Sequence, residues 1–152
     1  MQISGKIRYI KQLLSGGIYL KKQRILVAED NILNHKLIEY HLKKYGYTAD
    51  FVSNGFEVLS AMKQNSYDLI LMDLQMPGMD GFTTTRNIRN EEKNGKHIPI
   101  IALTAHAIRE TRDRSIEYGM DDYITKPVDH KALMESIDRI LGNKKDEPYE
   151  HI

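Results

Sequence analysis

From residue 24 onward the chain alternates short apolar runs with stretches of helical period, and few folds tolerate that pattern. The runs are Ile25 to Ala28, a weaker Ala49 to Val52, Leu69 to Met72, Ile98 to Leu103 and Tyr123 to Ile124. Strands that are apolar at every position, not at every second one, need cover on both faces, and a parallel sheet clad by crossover helices supplies it. Five strands in a doubly wound parallel sheet are therefore expected.

The intervening segments read as helices. Leu37, Ile38, Leu42 and Tyr45 make a stripe stopped by Gly46, and Val58, Leu59 and Met62 make another behind Asn54-Gly55. Gly46 is placed to terminate the first. A third helix is expected over about 82–93 and a fourth over about 107–118, ending at Gly119. In the fifth, Asp129 is placed to cap, Leu133, Ile137, Ile140 and Leu141 face inward, and Gly142 closes.

The ends differ from this body. Residues 1–23 contain Lys6, Arg8, Lys11, Lys21 and Lys22 and no acid, with Ile3, Ile7, Ile10 and Leu14 at helical spacing. This basic amphipathic segment reads as a linker or extension, a docking helix for a preceding domain, or a membrane-surface anchor. Residues 143–152 read as a polar tail, leaving 24–142 as the folded unit. The chain's 22 basic and 21 acidic residues nearly balance, but 17 against 21 remain once the first 23 are set aside. Such a body is not a general binder of nucleic acid, which requires concentrated positive charge. No apolar stretch approaches the roughly 20 residues of a membrane span, and the start lacks the apolar core of a secretory signal. With no cysteine, disulfides, thiol catalysis and cysteine-bound metals are excluded, and a cytoplasmic location is expected.

Ligands of an open parallel sheet meet it beyond the carboxyl ends of the strands. The polar residues there are Glu29 and Asp30 after the first run, Asp73 after the third, Thr104 after the fourth and Lys126 after the fifth. Carboxylates brought together repel by about 4 kcal/mol per pair at about 4 Å and an effective dielectric near 20. A divalent cation removes that repulsion, and hard oxygen donors favour Mg²⁺, with Mn²⁺ as a substitute. Lys126 adds a point charge suited to phosphate and Thr104 a hydroxyl donor. This is the equipment of phosphoryl transfer. Asp73, already ionised at neutral pH, is the best placed nucleophile, and Glu29 and Asp30 suit the metal.

The segments "ILVAEDN", "DLILMDLQMPGMDG", "PIIALTA" and "GMDDYITKP" resemble, in order and spacing, the receiver (response-regulator) domain of two-component phosphorelay signalling. Asn31, Asn34 and "LMDLQMP" make the wording most similar to receivers of hybrid sensor histidine kinases. The resemblance implies a flavodoxin-like three-layer fold with strand order 2-1-3-4-5. It implies that Asp73 takes a phosphoryl group from a phosphohistidine of a sensor histidine kinase or histidine phosphotransfer domain. Asp30, Asp73 and the Gln75 carbonyl would ligate Mg²⁺, with Glu29 acting through water. Thr104, Lys126 and the Ala105 N–H would hold the phosphoryl oxygens.

Tyr123 would turn inward as Thr104 moves, Gln75 and His106 would tune hydrolysis, and Lys126-Pro127 would be cis. The fourth helix, fifth strand and fifth helix would form the responsive face and a candidate dimer surface. Such a module is a switch or relay that promotes only its own phosphorylation and dephosphorylation. The rival is a Mg²⁺-dependent phosphohydrolase of the haloacid dehalogenase type, which expects a second aspartate where this chain has Gln75. A flavodoxin-like cofactor binder would leave the clustered acids unexplained, and no P-loop is present.

Overall fold

The computed structural model describes residues 22–106 and 108–142. The amphipathic stripe from Ile3 to Leu14 and the polar tail lie outside the described residues. Five strands, β1 (Arg24–Ala28), β2 (Thr48–Val52), β3 (Leu69–Asp73), β4 (Ile100–Thr104) and β5 (Asp122–Thr125), alternate with five helices. The helices are α1 (Ile32–Lys44), α2 (Gly55–Gln64), α3 (Gly81–Glu91), α4 (Arg109–Glu117) and α5 (His130–Leu141). All strand pairs are parallel and the order is β2-β1-β3-β4-β5.

Successive side chains of a strand face opposite sides, so each apolar run feeds two cores. Ile25, Val27, Leu69, Leu71, Ile101 and Leu103 pack with Ile38 and Leu42 of α1 and Leu133 and Ile137 of α5. Their neighbours Leu26, Ala28, Ile70, Met72, Ile100 and Ala102 pack on the other face with Val58 of α2, Ile88 of α3 and Met120. Every residue of β3 and β4 is buried. The absence of period-two polarity in the sequence follows from this double cover.

Among the described residues, four of the five helices start on a side-chain cap. Asn31 Oδ1 accepts from the Leu33 and Asn34 N–H groups, Asn54 from Glu57, Asp80 from Thr83 and Asp129 from Ala132. α4 has no side-chain cap, and Ser115 is its one buried residue.

Several expected boundaries shift. β4 begins at Ile100, two residues late, because Pro99 has no N–H to give a ladder and serves through its carbonyl, which accepts from the Ile70 N–H at 2.9 Å. α4 is shorter than 107–118 and α3 shorter than 82–93 by its C-terminal end. In α1, Ile38 and Leu42 are buried but Leu37 is exposed, and Tyr45 lies just past the helix as its C-cap. Gly46 follows with φ of 80°, the left-handed conformation that lets the chain leave the helix.

Candidate functional site

The carboxyl ends of β1, β3, β4 and β5 bring their terminal polar residues to a single cavity of about 540 Å³. Glu29 follows β1 and is fixed by its N–H donating to the Val52 carbonyl at 3.0 Å. Asp73 is the last residue of β3 and Thr104 of β4, while Lys126 follows β5 and donates its N–H to the Thr104 carbonyl at 2.7 Å. Glu29, Asp73 and Thr104 are buried and Asp30 is exposed. The cavity wall includes Gln75, Ala105 and His106 as well.

The three carboxylates of Glu29, Asp30 and Asp73 offer oxygens that lie within 4.8 Å of one another. Lys126 Nζ sits 2.8 Å from Glu29 Oε2 and 2.9 Å from Asp73 Oδ2. The remaining oxygens are held by backbone: Glu29 Oε1 accepts the Asn31 N–H and Asp73 Oδ1 the Gln75 N–H, each at 3.0 Å. Glu29 Oε2 and Asp73 Oδ2 thus share one ammonium, Lys126, within the buried part of the site. Three carboxylates around a single lysine fit a hard divalent cation reached directly or through its water.

Burial pushes the Asp73 carboxyl up to about 6, against the pull of Lys126 and the Gln75 N–H, and the Glu29 charge adds to the rise. Burial alone would lower the Lys126 ammonium, but Glu29 and Asp73 outweigh it and the net direction is upward. The site thus holds more negative charge than one lysine neutralises.

The loop after Asp73 keeps that carboxylate in place. The Leu74 N–H donates to the Leu103 carbonyl at 3.0 Å and the Gly81 N–H to the Leu74 carbonyl at 3.1 Å. A Cβ on Gly81 would stand 2.4 Å from the Asp73 carbonyl oxygen and 3.0 Å from Leu74 Cα, so only glycine permits this return. Gln75 is left exposed at the cavity mouth.

Thr104 Oγ1 accepts the His106 N–H at 3.1 Å and contacts the His106 carbonyl at 3.3 Å, engaged with its own loop. Tyr123 presents its ring to solvent, with the Arg112 guanidinium 5.8 Å from the ring centre. The Lys126-Pro127 bond is cis. Sequence reasoning missed the far wall of the cavity, where Phe82, Ile108, Thr111 and Arg114 enter from α3 and the α4 region. No local pattern marks them, since only the course of the loops brings them there.

The family model of the response regulator receiver domain matches residues 25–138. Hybrid signal transduction histidine kinase I of Dictyostelium discoideum is 45% identical over 134 residues, covering 81% of this chain and 8% of the kinase. The chain thus spans under a tenth of the length of that relative. Among solved structures, the receiver domain of a Pseudomonas aeruginosa PAO1 sensor histidine kinase, with a magnesium ion coordinated in its active-site cleft, is 38% identical with a TM-score of 0.73, over 80% of this chain and 99% of that one. The Saccharomyces cerevisiae Ssk1 receiver domain, crystallised with the histidine phosphotransfer protein Ypd1, gives 28% identity and a TM-score of 0.74 over 82% of this chain and 94% of the matched one.

Proposed function

The chain belongs to the response regulator receiver domain family, and from that premise we propose that Asp73 accepts a phosphoryl group from a phosphohistidine of a partner protein. The observation that carries this is the position of Asp73: a buried carboxylate at the end of the central strand, within reach of two further acids and 2.9 Å from a lysine. An Asp73 oxygen attacks phosphorus, an O–P bond forms, and the N–P bond of the donor breaks with its electron pair returning to the imidazole nitrogen. Lys126 offsets the charge of the phosphoryl oxygens, and Thr104 and the Ala105 N–H donate to them. The backbone bonds from Gln75 and Asn31 fix the two carboxylates before the donor arrives.

Mg²⁺, or Mn²⁺ in its place, would be held by Asp30, Asp73 and the Gln75 carbonyl, with Glu29 acting through water. The cation supplies neutralisation of phosphoryl charge. The donor is a sensor histidine kinase or a histidine phosphotransfer domain, a reading supported by the Ypd1-bound relative and by the hybrid kinase relatives. Residues 24–142 form the receiver unit, residues 1–23 a basic extension or linker and residues 143–152 a polar tail, working in the cytoplasm. Thr104 and Tyr123 couple phosphorylation to the α4-β5-α5 face, which is also the candidate dimer surface. Gln75 and His106 set the lifetime of the phosphoryl group.

The unit is an acceptor and not a turnover enzyme. Gln75 occupies the position where an aspartyl phosphohydrolase keeps its second acid, which argues against that alternative. Incubation with Mg²⁺ and a small acyl phosphate is expected to add one phosphoryl group to the wild type and none to Asp73→Asn. Undiminished labelling of the variant, or rapid hydrolysis of many phosphate esters by the wild type, would contradict the reading.

A further inference from the structure

Away from the phosphoryl site, α1 and α5 meet through two histidines. His41, near the end of α1, and His130, the first residue of α5, point Nδ1 at Nδ1 across 3.0 Å. The ring centres are 4.7 Å apart with planes tilted by 50°. His130 Nε2 lies 2.7 Å from the Tyr45 hydroxyl. Both rings are half-buried.

We propose that His41 and His130 form a two-imidazole site for a tetragonal transition-metal ion, Cu²⁺ being the best match. A 3.0 Å contact between two imidazole nitrogens requires one proton between them, whichever ring carries it. A cation bound to both nitrogens would lie to one side of the line joining them and would displace that proton. Metal–imidazole bonds of about 2.0–2.1 Å subtend roughly 91–97° across this separation, whereas a tetrahedral angle would need about 3.3–3.4 Å. The narrower angle is that of neighbouring ligands in a tetragonal field, which Cu²⁺ and Ni²⁺ adopt, and Cu²⁺ binds nitrogen donors more strongly.

When the ion enters, each ring gives its Nδ1 lone pair and keeps its proton on Nε2. For His130 that N–H then donates to the Tyr45 oxygen, the outer partner that fixes the tautomer of a metal-bound histidine. For two neutral rings no proton is lost overall, because the shared one moves to a distal nitrogen. The partial exposure leaves the other coordination positions to water. The borderline nitrogen donors also separate this site from the all-oxygen set at Glu29, Asp30 and Asp73, which suits hard cations.

The test uses the full chain in saturating Mg²⁺, so that the oxygen site is filled, titrated with Cu²⁺ and followed by calorimetry and electron paramagnetic resonance. The wild type is expected to bind one equivalent with a tetragonal spectrum and nitrogen hyperfine structure. His41→Gln and His130→Gln are each expected to weaken binding by about tenfold or more and to reduce the nitrogen coupling. Tyr45→Phe, which keeps both ligands but removes the outer partner, is expected to weaken binding by about tenfold while leaving the nitrogen coupling in place. Circular dichroism and acyl phosphate labelling of Asp73 verify that each variant is folded. Unchanged affinity and spectrum in both histidine variants, or a wild-type spectrum from oxygen donors alone, would overturn the proposal.

Discussion

Replacing the carboxylate of Asp73 by an amide should stabilise the metal-free protein. Burial raises that carboxyl from 3.8 to about 6, and each unit corresponds to about 1.36 kcal/mol, so the charged form costs about 3 kcal/mol at most in the folded state. A carboxyl whose folded pKa lies above its unfolded value holds its proton better when folded. Its penalty is therefore complete above about pH 6, shrinks as pH falls through that value and is gone below about 4. Asp73→Asn leaves Lys126 paired with Glu29, so no lysine charge is stranded. The expected gain is about 1–3 kcal/mol at pH 7.5 in chelator, falling to about half at pH 5. Urea unfolding at the two pH values measures it. A variant no more stable than the wild type at pH 7.5, or a gain that does not shrink at pH 5, would refute the reasoning.

Other substitutions probe the parts around Asp73. Lys126→Gln leaves two buried carboxylates without their cation and is expected to cost up to about 3–5 kcal/mol at pH 7.5, less at lower pH, by the same unfolding assay. Gly81→Ala forces a methyl against the Asp73 carbonyl, and a loss of about 1–3 kcal/mol together with weaker Mg²⁺ binding by calorimetry is expected. Asp129→Ala removes the cap of α5 and should cost about 1 kcal/mol, read as a lower urea midpoint with unchanged slope.

The sheet was legible because its physics is local. Runs such as Leu69 to Met72 need double cover wherever they occur, and the polar residue that ends each run necessarily reaches the same edge. The convergence of Glu29, Asp30, Asp73, Thr104 and Lys126 therefore followed from strand ends alone. What stayed hidden depends on contacts between distant segments. The bridging of Glu29 as well as Asp73 by Lys126 is set by side-chain reach across three strands. The His41–His130 contact joins residues 89 apart, and neither position breaks the pattern of its helix. Helix α4 is shorter than the sequence suggests because it is polar nearly throughout and offers no apolar stripe to mark its ends.

The central claim is that Asp73 becomes the phosphoryl acceptor. Reductive trapping of the acyl phosphate with borohydride after transfer from a phosphorylated histidine phosphotransfer domain, followed by peptide mapping, tests it most directly. The account predicts conversion to homoserine at position 73 alone, dependent on Mg²⁺. Conversion at Asp30 or Glu29, or a stable phosphoryl group on a histidine or hydroxyl of this chain, would contradict it.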